Sequence, residues 1–135
     1  MVKGGITMNL ETAGQILALI TGIFGVATYV IDKLIKRRNA TIEKVGCLLD
    51  EYHEKYANLS VNENYKEHVR FLSKIEQFCI AVDSRVYSKK TLKKFGSKFL
   101  TGTYNKYLDN IIKKRRKQFG NTSYKYLEKL VKSFH

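Results

Sequence analysis

Side chains able to do covalent or acid–base chemistry are sparse in this sequence and stand apart from one another. The three histidines fall at 53, 68 and 135, and the two cysteines at 47 and 79. Neither set has the short spacing that lets ligands converge on a metal ion. There is no glycine-rich phosphate loop following a strand, and no G-x-S-x-G elbow to present a nucleophilic serine. The expectation is therefore no enzyme, no metal and no cofactor, with Cys47 and Cys79 as small apolar residues of a reduced, helical core.

What the side chains can do is hold anions. Lys89, Lys90, Lys93, Lys94 and Lys98 form one basic cluster, and Lys113, Lys114, Arg115, Arg116 and Lys117 a second; Lys106, Lys125, Lys129 and Lys132 lie between and after them. The net charge of +13 is concentrated there: residues 88–135 carry fourteen Lys/Arg against two acids, residues 39–87 six against eight, and residues 1–38 five against two. Such density repels itself unless something anionic neutralises it. Solvent and salt are one candidate, and the anionic inner leaflet of a membrane is another. A nucleic acid or oligonucleotide is the third, with Tyr104, Tyr107, Phe119, Tyr124 and Tyr126 as stacking faces, although most of these rings are also suited to a core. The candidate ligand-binding set is the two clusters together with Tyr104 and Lys106.

These clusters must be carried by helices. The sequence has no proline, and its long lysine-rich segments bear regularly spaced Leu and Ile, which gives an all-α fold. Its dominant stretch is Ala13–Ile31, nineteen residues without a charge. As a helix this covers about 28 Å, close to the hydrocarbon thickness of a bilayer. A signal peptide would place positive charge before the apolar run, whereas here Lys33, Lys36, Arg37 and Arg38 follow it. A buried core helix is the remaining alternative. Read as a transmembrane helix of a bacterial inner membrane, it has its N-terminus outside and its C-terminal side in the cytoplasm by the positive-inside rule. Residues 1–9 then form a loosely ordered tail, residues 10–38 the span with its basic flank, and residues 39–135 a cytoplasmic helical domain.

Within the span, Gly14, Ala18, Thr21, Gly25 and Thr28 recur at alternating steps of four and three, and Gly22 forms a small-x-x-x-small pair with Ala18. Small residues let helices approach in lipid, which argues for a homo-oligomer. Gln15, Thr21 and Thr28 could line a pore or merely join helices. Beyond the span, Ile31, Ile35, Ile42, Val45, Leu49, Tyr52 and Tyr56 continue a heptad seam, with Arg38 in its one gap. The seam predicts one long helix, packed either on the later helices of the same chain or on other copies. An upright helix from Asp32 to Tyr56 would hold a domain at its end tens of Å from the lipid, which weighs against the leaflet as the anion.

Four further segments follow. Asn58–Asn64 breaks the pattern, and a helix over 65–82 carries Tyr65, Val69, Leu72, Ile75, Cys79 and Val82 on one face, leaving Arg70 and Glu76 on solvated rims. Ser88 caps a short helix with Leu92 and Phe95, and Gly96-Ser97 punctuates it. A helix over 98–119 stops at Gly120, and Asn121 or Thr122 caps a last helix whose Tyr124, Leu127, Leu130, Val131 and Phe134 face inward.

The stretch FLSKIEQFCIAVDSRVYSKKTLKKFGSKFLTGTYNKYLDNIIKKRRKQFGNTSYKYLEKLV, placed after an N-terminal membrane helix, resembles an uncharacterised family of short bacterial single-pass membrane proteins with a helical cytoplasmic domain. The plan of one span joined to a basic helical sensor is also similar, in architecture alone, to oligonucleotide-gated membrane effectors of antiviral defence. That likeness implies an oligomeric, pore-forming or membrane-perturbing effector controlled by an anionic ligand. A partner protein from the same operon is a further expectation. The alternative is a membrane-tethered structural or adaptor protein that docks an acidic protein or anionic lipid.

Overall fold

The computed structural model describes residues 9–135, and among them every regular element is helical. The tail expected over residues 1–9 therefore lies, but for Asn9, outside the described residues. The chain divides into two compact units between Lys36 and Arg37.

The first helix, α1, runs over Leu10–Glu51 and passes into a π-helical turn at Tyr52–Tyr56. Asn9 caps it, its side-chain oxygen accepting from the Thr12 N–H at 2.7 Å. Through the first unit this helix is long and apolar enough to cross a membrane, and none of the apolar window is buried within the chain. Gly14, Gln15, Ala18, Thr21, Gly22, Gly25 and Thr28 are all exposed on it. A Cβ added at Gly14, Gly22 or Gly25 would meet nothing within 4 Å.

The second unit is a helical domain that includes the C-terminal part of α1. Its other elements are α2 (Tyr65–Asp83), α3 (Lys89–Phe95), α4 (Ser97–Tyr107), a π-helical turn (Leu108–Ile112), α5 (Lys113–Phe119) and α6 (Lys125–Ser133). The core gathers the inner face of α2 with Val45 and Leu48 of α1, Leu92 of α3, Leu100 and Tyr107 of α4, and Leu127 and Val131 of α6. The expected faces of α2 and α6 point inward, with Phe71, Leu72 and Ile75 fully enclosed.

The heptad seam is only partly the packed face. Val45 and Tyr56 are buried, but so are Thr41 and Leu48, which the heptad omits, whereas Ile42 is exposed. Cys79 is buried as expected, and desolvation pushes its thiol pKa up. Cys47 is not: it lies on the outer side of α1, exposed.

Two turns set the course of the C-terminal third. The buried steps Leu100, Thr103, Tyr107 and Ile111 follow one face of a helix. The π turn at Leu108–Ile112 then inserts an extra residue in the turn, and α5 beyond it has no buried residue. Gly120 adopts φ 108°, a conformation glycine accepts at little cost, and ends α5.

The start of α6 departs from expectation. Its cap is neither Asn121 nor Thr122. Tyr124 occupies the cap position in the left-handed region, φ 60°, and supplies no side-chain hydrogen bond. Glu76 of α2 does so instead, its Oε1 accepting from the Leu127 N–H at 2.9 Å. A residue expected on a solvated rim thus places its carboxylate at a helix N-terminus, where the dipole favours negative charge.

Candidate anion-binding surface

The fourteen cations of residues 88–135 divide into those held by the domain and those left to solvent. Arg116 is held. Its Nε donates to the Ser123 carbonyl at 3.0 Å and its guanidinium pairs with Glu128, so it ties α5 to α6. Glu128 also accepts from Lys132, and these two contacts, Lys132 first, hold its carboxyl below the usual range. Lys113 pairs with Asp109 one turn back at 2.7 Å, and Lys129 reaches Asp83 of α2 at 2.9 Å.

Lys106 is held differently. It donates to the Tyr52 hydroxyl at 2.8 Å and lies over the Tyr52 and Tyr107 rings. Tyr104 packs half-buried against the core, and Tyr107 is fully enclosed.

Nine cations remain without an ion pair or hydrogen bond among the described residues: Lys89, Lys90, Lys93, Lys94, Lys98, Lys114, Arg115, Lys117 and Lys125. They fall into two groups. The first five sit on α3 and the start of α4. The other four lie on α5, which ends at Phe119, and on the first residue of α6. Helix α4, the π turn and α5 form one continuous helical run, so at about 1.5 Å per residue roughly 30 Å separates Lys98 from Phe119 along it.

The α5–α6 corner has the chemistry of a stacking site. Phe119 is 59% exposed, and the Arg115 guanidinium lies 4.8 Å from its ring centroid. Between α5 and α6 an open hollow of about 410 Å³ is lined by Arg116, Asn121, Lys125, Glu128, Lys129 and Lys132. A second hollow of about 280 Å³ is lined by Ser73, Glu76, Gln77, Arg115, Ser123 and Tyr124. Lys114, Arg115, Lys117 and Lys125 are therefore the cations available to phosphate, and Phe119 offers the open ring face.

One polar site was invisible to sequence reasoning. His68 is fully buried, with Nδ1 2.5 Å from the Tyr107 hydroxyl and Nε2 3.2 Å from the Leu59 carbonyl. A carbonyl can only accept, so Nε2 carries the proton, and Nδ1 accepts from Tyr107. Burial, with the nearby Lys106 charge, lowers the His68 pKa, while the bond to Leu59 opposes that shift. The ring is a neutral structural bridge. Among the described residues no three His, Cys, Asp or Glu side chains stand together as a metal site.

No curated protein and no solved structure matches the chain. A family model described as a domain of unknown function, DUF4760, matches residues 15–134. That match takes in both the apolar helix and the basic corner, and the chain accordingly belongs to the DUF4760 family.

Proposed function

We propose that this protein is an oligomeric single-pass membrane effector whose helical domain binds a phosphate-rich ligand, a short oligonucleotide, at the α5–α6 corner. In this reading the ligand biases how the chains of the assembly pack, and the membrane helices open a leak or stay shut. Antiviral defence is the setting in which such a device fits, and a neighbouring gene product would make or deliver the ligand. The N-terminus lies outside and the domain in the cytoplasm, because Lys33, Lys36, Arg37 and Arg38 all follow the apolar run.

One observation carries the proposal: the Arg115 guanidinium lies 4.8 Å from the exposed ring of Phe119, on a corner whose helices also carry the unpaired Lys114, Lys117 and Lys125. Stacking on a ring and charge contact with the backbone are the two parts of single-strand recognition. Arg116 and Lys113, although inside the same basic run, are already neutralised by Glu128 and Asp109. They are frame rather than contact.

The test is binding of a short single-stranded DNA or RNA to the detergent-solubilised full chain across a salt series. With four phosphate contacts the slope of log K against log salt is about −3, and the Lys114→Gln/Arg115→Gln/Lys117→Gln variant brings it to about −1. Phe119→Ala lowers affinity by about 1–3 kcal/mol without changing that slope. Undetectable binding at low salt, or a slope untouched by the triple variant, overturns the proposal.

A further inference from the structure

We infer that the other group of free cations, the lysine face of α3, docks on the anionic headgroups of the membrane that holds α1. This rests on the reading that the apolar run of α1 lies in the bilayer. Lys89, Lys90, Lys93, Lys94 and Lys98 are all exposed. No acid occurs between Asp83 and Asp109, and Asp83 is taken by Lys129.

The arrangement works against the helix that carries it. Lys89 and Lys90 occupy the first turn of α3, where the dipole disfavours positive charge, and no acid relieves them. The pairs Lys89–Lys93 and Lys90–Lys94 stand at i, i+4, the spacing at which like charges repel. Only the Ser88 cap, accepting from the Thr91 N–H at 3.1 Å, favours the start of the helix. Charge held at such a local cost is relieved by an anionic surface outside the chain.

The surface is also built for lipid rather than for base recognition. Every cation on it is lysine, a flexible point charge suited to a fluid layer of headgroups, whereas the corner contributes arginine beside an open ring. Phe95 is 48% exposed at the end of α3 and Val86 61% exposed just before it, apolar side chains able to enter the interfacial layer.

The tether permits the contact. The Ser88 N–H donates to Thr41 Oγ1 at 2.8 Å, and Gly96 lies against Val45, which fixes α3 to the C-terminal part of α1. Thr41 is ten residues past Ile31. Whatever angle the two units take, ten residues of chain reach at most about 35 Å. The expectation that a helix extending to Tyr56 would keep the domain clear of the lipid places the domain at the far end of that helix, whereas α3 packs at Thr41, nearer the apolar run.

The chain contains no tryptophan, so a single introduced indole reports its own site. Full-length protein carrying Phe95→Trp, and separately Val86→Trp, is reconstituted into nanodiscs of phosphatidylcholine alone or with about one part in four phosphatidylglycerol. Part of the lipid carries brominated chains as quencher. The expected result is emission shifted to the blue and quenched about twofold more in the anionic discs, and loss of that difference in the Lys89→Gln/Lys90→Gln/Lys93→Gln/Lys94→Gln background. Tyr29→Trp, inside the apolar run, is the insertion control and is quenched in both discs. Quenching of Tyr29→Trp with equal emission of both α3 probes in the two lipids overturns the docking alone. An unquenched Tyr29→Trp overturns the membrane reading and the docking with it. Quenching at Phe95→Trp that persists in the Lys114→Gln/Arg115→Gln/Lys117→Gln variant shows that the two basic surfaces act separately.

Discussion

His68 shows how a single buried side chain sets a pH limit on the domain. Its ring sits between Tyr56 and Tyr107, and protonation would place a charge there with Lys106 nearby. The folded-state pKa is therefore depressed below the ordinary 6.5. For a base lowered in this way the unfolded chain binds the proton first, so the stability is present above 6.5 and is lost as pH falls through the folded value. Thermal melts of the full chain should thus show the melting temperature dropping as pH falls below 6.5. His68→Phe removes that part of the pH dependence, at a cost of about 1–3 kcal/mol at neutral pH from the partners it leaves unpaired. A pH profile parallel to that of the parent protein would refute the assignment. No spacing in the sequence announces this residue, because its partner Tyr107 is 39 positions away. The same holds for Glu76, whose role at the start of α6 depends on a contact across 51 positions.

At the scale of elements, more could be read in advance. The caps at Asn9 and Ser88 and the stop at Gly120 act through neighbours three or four residues away, and all three are where the chain pattern puts them. The long α1 and the inward faces of α2 and α6 follow from apolar spacing alone. The π turns do not, because they are fixed by packing and have no composition of their own. The basic clusters were legible as charge, but the division into held and free cations was not, since Arg116 and Lys129 find their acids only when α5 and α6 fold back on the domain. The heptad on α1 failed at Thr41 for a related reason. A polar residue reads as outward, yet Thr41 Oγ1 donates to the Arg37 carbonyl at 2.7 Å and accepts from the Ser88 N–H, so both its hydrogen-bonding roles are met inside. Thr41→Val keeps the shape and leaves the Ser88 N–H without its acceptor. The expected loss is about 1–3 kcal/mol in global stability, with faster hydrogen exchange concentrated in α3. Unchanged exchange in α3 would mean that the hydroxyl does not anchor it.

For the whole molecule the open question is what covers the apolar helix surface. Leu17, Ile23, Phe24 and Val26 are all more than half exposed within the chain, an apolar surface that calls for a cover. Lipid meets that need on every side, but it gives no reason for Gly14, Ala18, Thr21, Gly22, Gly25 and Thr28 to share a region of the helix. Close approach of a second copy does. Gly22 makes this testable without disturbing the single chain. A side chain there would meet nothing within 4 Å, and leucine is the better helix former, so Gly22→Leu leaves the helix of one chain intact or strengthens it. Any loss of assembly is then a loss between chains. We expect the parent protein to run as a defined oligomer by mass measurement in detergent, and Gly22→Leu to weaken association on the order of tenfold. Gly102→Leu, outside the apolar run and likewise meeting nothing within 4 Å, serves as a size-matched comparison. If Gly22→Leu keeps the parent mass and the parent ion leak in reconstituted vesicles, the small-residue face is not the interface.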